Sequence, residues 1–218
     1  TDIVEKEMYT FRDSKNNPIS MRPEGTAACA RLLIENGLND SINKIWYSGP
    51  FFRHERPQKG RYRQFHQFGV EYTGIISFEA DFEIINLASH IWEKLKVNPT
   101  LVINSIGDNE DRKKYIDVLV NYLKKYEADF DANEKNKLYN NPLRILDTKN
   151  KDTKKILETA PKISDYLSTD SKSHFNKLLE VLNDKDILYV QDDNLVRGLD
   201  YYNRTVFEYL DDTDNAQN

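Results

Sequence analysis

The run Arg53-His54-Glu55-Arg56-Pro57-Gln58-Lys59-Gly60-Arg61-Tyr62-Arg63-Gln64-Phe65 decides how this chain is read. It places Arg53, Arg56, Lys59, Arg61 and Arg63 around the single carboxylate Glu55, in a protein of formal net charge -5. A basic cluster on an acidic chain points to an anionic target, because the bulk charge does not supply the attraction. Apolar Ile45-Trp46-Tyr47 leads in, Pro57 and Gly60 punctuate, and an alternating stretch leads out through Phe65, Phe68 and Val70. That pattern predicts a β-hairpin with cations on its strands and loop. Side chains two apart share a strand face, so Arg53 and Glu55 fall together, as do Phe65, Gln67 and Glu71. A solvated sheet face would also be polar. Phe65 on that face argues against this plain reading, since an exposed ring wants a partner.

Working outward, Met8 to Phe11 and Ile19 to Met21 read as a strand pair across the turn Asp13 to Pro18. Thr26 to Asn36 reads as a helix stopped by Gly37, with Thr26 as a possible N-cap. Phe78, Phe82, Ile85, Trp92 and Leu95 recur at helical spacing, and Thr100 to Ile103 is β-rich. Composition shifts at Asp108. From there to Ser173 the chain holds 14 Lys and Arg against 13 Asp and Glu, with no Gly. Leu119, Leu123, Tyr126 and Phe130 then predict a helical insertion subdomain, whose mixed charge reads first as a solvated surface. Phe175 to Leu182 continues it. Ile187 to Val190 and Thr205 to Leu210 read as strands returning to the first sheet. The expected fold class is therefore α+β, an antiparallel sheet flanked by helices. Its expected parts are 1–107 (core, first part), 108–186 (helical insertion) and 187–218 (core, second part).

Several function classes are disfavoured. Cys29 is the only cysteine, so no internal disulfide or cysteine-based metal site is possible. His54, His66, His90 and His174 lack metal-ligand spacing, and no protein-bound metal is expected. Neither GxxxxGK[ST] nor GxGxxG occurs. No apolar run approaches a membrane span, and no leader peptide is visible, so no membrane partner and a cytoplasmic setting are expected. The chain begins at Thr1 and ends in a polar tail, and it reads as a piece of a longer protein. What remains is chemistry for a phosphorylated nucleotide and a small polar molecule. Guanidinium forks suit phosphate, an aromatic ring suits a base, and carboxylates suit an ammonium or imidazole.

Three motifs in collinear order resemble the class II aminoacyl-tRNA synthetases, and within them the histidyl-tRNA synthetases of bacterial type. Phe52-Arg53-His54-Glu55-Arg56-Pro57 through Phe65 is similar to motif 2 of that class. Met21-Arg22-Pro23-Glu24-Gly25-Thr26 and Leu195-Val196-Arg197-Gly198-Leu199-Asp200-Tyr201-Tyr202 resemble the two histidine-specific signatures. Thr1 to Tyr9 resembles the family's stretch after motif 1. The resemblance implies a histidine–tRNA ligase that activates histidine with ATP and transfers it to tRNA(His). Arg53 would bind the α-phosphate and the histidine carboxylate, Glu55 the adenine amino group, Arg61 the outer phosphates, and Phe65 would stack on adenine. Glu24, Gly25 and Thr26 would hold the α-amino group, with Gln67 also on the amino acid. Glu71, Tyr201 and Tyr202 would read the imidazole. Arg197 would stand where other class II enzymes place a catalytic metal ion, so that Arg53 and Arg197 are the expected catalytic pair. ATP is expected as substrate, with Mg2+ on its phosphates, and a homodimer as the assembly. The insertion would lie near the tRNA acceptor stem. Motif 1, motif 3 and an anticodon-binding domain are not in the sequence, so these residues alone are expected to be inactive or weakly active. The alternative is the synthetase-like regulatory subunit of ATP phosphoribosyltransferase, which does not aminoacylate.

Overall fold

The structure is a computed structural model that describes residues 7–56, 60–197 and 202–211. These fall into two compact units, one up to Ile84 and the other from Ile85 onward.

The first unit opens with two short strands, β1 (Thr10–Arg12) and β2 (Pro18–Ser20), paired antiparallel. Asp13 organises the turn between them by accepting the backbone N–H groups of Lys15 and Asn17 at 2.8 Å each. Helix α1 (Thr26–Glu35) follows and buries Cys29 and Leu33. It ends where Gly37 takes a φ of 66°, a left-handed conformation that glycine enters at no steric cost. Then comes the predicted hairpin, β3 (Asn43–Phe52) and β4 (Gln64–Thr73). Its register sets Ile45 opposite Glu71, Tyr47 opposite Gly69, Gly49 opposite Gln67 and Phe51 opposite Phe65. Those residues share the better-covered face, whereas Trp46 and Phe68 on the other face stay exposed.

Helix α2 (Phe78–Leu95) leads from the first unit into the second. Strand β5 (Thr100–Ser105) is buried along nearly its whole length. The helical stretch comprises α3 (Asn109–Leu123), α4 (Ala132–Asn140), α5 (Lys151–Leu157) and α6 (Thr169–Asp184), joined by short 3₁₀ turns. Asp108, where the composition shifts, is the N-cap of α3, with Asp111 completing a capping box. Strands β6 (Tyr189–Gln191) and β7 (Thr205–Leu210) both pair with β5, giving the order β6-β5-β7. The expectation was a return to the first sheet, whereas the strand that both flank is β5. The β5–β6 pair is parallel and the β5–β7 pair antiparallel. A parallel pair needs a long crossover, which the helical stretch between β5 and β6 supplies. Helices and sheet share one core. Tyr115, Leu119 and Ile145 from the helical stretch join Val102, Ile106 and Val206 from the strands and their flanks.

Candidate functional site

The covered face of the β3–β4 hairpin brings the sequence-predicted residues of the first unit into two adjoining groups. The first is built on motif 2. Strand β3 ends at Phe52, yet the ladder runs on through Arg53 N–H donating to the Arg63 carbonyl at 3.0 Å. This keeps Arg53 on the face that the alternation assigned to it. Its Nε donates to the Pro23 carbonyl at 2.8 Å, which fixes the guanidinium. Arg22 makes the converse clasp, Nε to the Pro50 carbonyl at 2.7 Å, while Phe52 N–H donates to Arg22 O. The 22–23 loop is thereby tied to β3 at three points. The Arg53 guanidinium lies 5.3 Å from the Phe65 ring centroid, and the Phe65 ring stacks on Phe51 at 6.3 Å. Arg53 and Arg61 flank Glu55 at 3.8 and 3.6 Å. Those separations are longer than hydrogen bonds, so Glu55 does not consume the guanidinium N–H donors of Arg53 and Arg61. The cluster carries two cations against one anion beside the partly exposed Phe65 ring, a set that fits a nucleotide phosphate and its base.

The second group is carboxylate-centred. Thr26 is not the N-cap of α1. Gly25 holds that position, without a side-chain cap, and Glu24 accepts the Ala27 N–H at 2.9 Å instead. The Thr26 hydroxyl is thus released to donate to Glu71 Oε1 at 2.6 Å, bridging α1 to β4. Burial pushes the Glu71 carboxyl above its usual range, with the nearby Glu24 charge adding to the rise and the Thr26 hydrogen bond opposing it. That hydroxyl is the one hydrogen-bond donor found on Glu71 among the described residues. A carboxylate accepts about four such bonds, so acceptor capacity remains. Gln67 shares the face between Phe65 and Glu71.

Tyr47 was not singled out from the sequence beyond the apolar lead-in. Its ring fills the space beside Gly25 and Gly69, and a Cβ on either glycine would overlap it. The Gly25 predicted as a binding residue therefore serves at least this packing role. Burial raises the Tyr47 phenol, and the Glu71 charge adds to it. The signal that could have found Tyr47 is the glycine opposite it in the hairpin register.

In the second unit, Arg197 Nη1 pairs with Glu208 of β7 at 3.0 Å, and its guanidinium lies 5.7 Å from the Tyr202 ring centroid. A groove lined in part by Arg197, Glu208, Val196, Asp147, Thr148 and Lys154 has a volume near 580 Å³. Pro57 to Lys59, Gly198 to Tyr201, Thr1 to Lys6 and the polar tail lie outside the described residues, and with them the predicted site residue Tyr201. Among the described residues, no group of three His, Cys, Asp or Glu side chains could hold a metal ion. None of the described helices is long and apolar enough to cross a membrane.

Comparison with known proteins follows the same lines. The histidyl-tRNA synthetase family model matches residues 1–217. The chain belongs to the histidyl-tRNA synthetase family. It is 53% identical over 212 residues to a histidine–tRNA ligase of Hydrogenovibrio crunogenus, covering 96% of this chain and 50% of that protein. The crystal structure of an apo histidyl-tRNA synthetase from S. aureus superposes with a TM-score of 0.75 at 39% identity, covering 95% of this chain and 50% of that one. The fold is that of class II synthetases, as the α+β reading expected. A Bacillus halodurans protein titled ATP phosphoribosyltransferase regulatory subunit/histidyl-tRNA synthetase shares the fold, with a TM-score of 0.64 at 18% identity, covering 97% of this chain and 59% of that one. The chain spans about half the length of the synthetases it matches.

Proposed function

We propose that this chain carries the amino-acid-activating site of a histidine–tRNA ligase, forming histidyl-adenylate from ATP and L-histidine for transfer to tRNA(His). The observation that carries the reading is the convergence on one hairpin face of Arg53, Glu55, Arg61 and Phe65 with the Thr26–Glu71 pair. In this reading, Phe65 stacks on adenine, Glu55 accepts the adenine amino group and Arg61 meets the outer phosphates. Arg53 bridges the α-phosphate and the histidine carboxylate. Glu24, Gly25, Thr26 and Gln67 hold the α-amino end, and Glu71 takes the imidazole with Tyr201 and Tyr202. A histidine carboxylate oxygen bonds to the α-phosphorus, the bond to the bridging oxygen breaks, and pyrophosphate leaves. Negative charge builds on the phosphoryl oxygens in that step, and fixed cations stabilise it. Arg53 and Arg197 are the cations assigned to the task, with Mg2+ arriving on the ATP phosphates.

Residues 108–186 are proposed as the helical insertion that meets the tRNA acceptor stem, flanked by catalytic-core segments 1–107 and 187–218. A cytoplasmic homodimer is the proposed setting. The regulatory-subunit alternative has less support, because the relative so titled is 18% identical whereas the synthetases are 39% and 53% identical. ATP–pyrophosphate exchange by the full-length protein that contains these residues tests the proposal. It should exchange label only when histidine is present, and Arg53→Ala should lower the rate by about 10²–10³-fold. Histidine binding with no exchange would turn the reading toward the regulator.

A further inference from the structure

We propose that Tyr47 is a positioning residue of the amino-acid site: its ring spaces α1 from β4, so that the Thr26–Glu71 pair faces the substrate. The inference rests on the function proposed above and deepens it. Tyr47 lies directly opposite Gly69 in the hairpin and against Gly25 at the start of α1. Gly25 immediately precedes Thr26, and Gly69 is two residues before Glu71 on the same strand face. Each backbone that touches the ring therefore carries one partner of the 2.6 Å hydrogen bond. The ring acts as the spacer that sets where those partners meet. Phe51, with its ring centroid 5.8 Å from that of Tyr47, backs it from along β3.

The single Thr26 proton is committed to Glu71. With that proton committed, the lone pairs left on Glu71 are the acceptors offered to a ligand. Both glycines are small because the ring needs their space.

The test is pyrophosphate exchange by the full-length protein, with Michaelis constants measured separately for histidine and ATP. Tyr47→Ala is expected to raise the histidine constant about ten- to hundred-fold and the ATP constant less than about three-fold. Tyr47→Phe keeps the spacer and so the fold, and should leave both constants near wild type. Gly69→Ala should reproduce the Tyr47→Ala effect by evicting the ring, and the double variant should be no worse than the worse single one. Equal rises in both constants for Tyr47→Ala, a Tyr47→Phe loss as large as that of Tyr47→Ala, or additive losses in the double variant, would overturn the positioning role while leaving the enzyme reading intact. A wild-type chain whose exchange ignores histidine would overturn both.

Discussion

Two regions of this molecule bury carboxylates, and they treat them in opposite ways. In the helical stretch, Asp111 accepts Ser171 Oγ at 2.6 Å, Ser168 N at 2.9 Å, Ser168 Oγ at 3.1 Å and Asp108 N at 3.3 Å. Glu134 accepts Thr153 Oγ1 at 2.6 Å, Thr148 Oγ1 at 3.0 Å, Asp131 N at 3.2 Å and Asn150 Nδ2 at 3.4 Å. Both are almost wholly buried and have their acceptor sites filled. They fasten helix starts and loops together, and nothing is left for a ligand. Glu71, on the hairpin, is half-buried with one donor. Burial raises its carboxyl, whereas Asp111 ends below its usual range because the four hydrogen bonds together outweigh burial. The lesson is that a saturated buried carboxylate marks structure and an unsaturated one marks a place for chemistry.

The largest expected effect falls on a cation that is likewise only partly used. Arg197→His should slow histidyl-adenylate formation by about 10²–10³-fold while histidine binding stays within a few-fold, as single-turnover kinetics would show. Arg197 leans on Glu208 and Tyr202 but remains accessible, so a rate near that of the wild type would place it with the fasteners.

A smaller effect is expected at Asp111. Asn offers a single side-chain acceptor, so Asp111→Asn should leave buried donors unmatched and lower stability by about 1–3 kcal/mol at neutral pH. The folded carboxyl lies below its unfolded value. Its stabilisation is therefore present above the ordinary carboxylate range and is lost as pH falls through the folded value. Urea melts at neutral and acidic pH should show the wild type losing stability on acidification and the variant losing less. Equal losses would mean that Asp111 does not carry the acid sensitivity assigned to it.

How much of this was visible in the sequence depended on the range of the interaction. The motif 2 hairpin was legible because alternation and turn residues are local signals, and the placing of Phe65 followed from strand parity, whereas Glu55 lies past the end of β3. The composition shift at Asp108 falls on the N-cap of α3, a helix start that Asp favours. Thr26 could equally have been a cap, and only the approach of Glu71, 45 residues away, shows where its hydroxyl goes. Tyr47 was hidden for the same reason, since its two glycine neighbours come from separate elements. Composition could not show that Val102, Ile106 and Val206 share a core with the helices, nor that β5 and β6 run parallel.

The contrast between filled and open carboxylates is tested most directly by comparing Glu71→Gln with Glu134→Gln in one experiment. Histidine and ATP Michaelis constants in pyrophosphate exchange and the thermal midpoint would be measured for each. The account predicts a crossed result. Glu71→Gln raises the histidine constant about ten- to hundred-fold with little change in the ATP constant or the midpoint. Glu134→Gln lowers the midpoint and leaves both constants near wild type. Equal changes in the two constants for Glu71→Gln, or a lowered midpoint with unchanged histidine affinity, would contradict it.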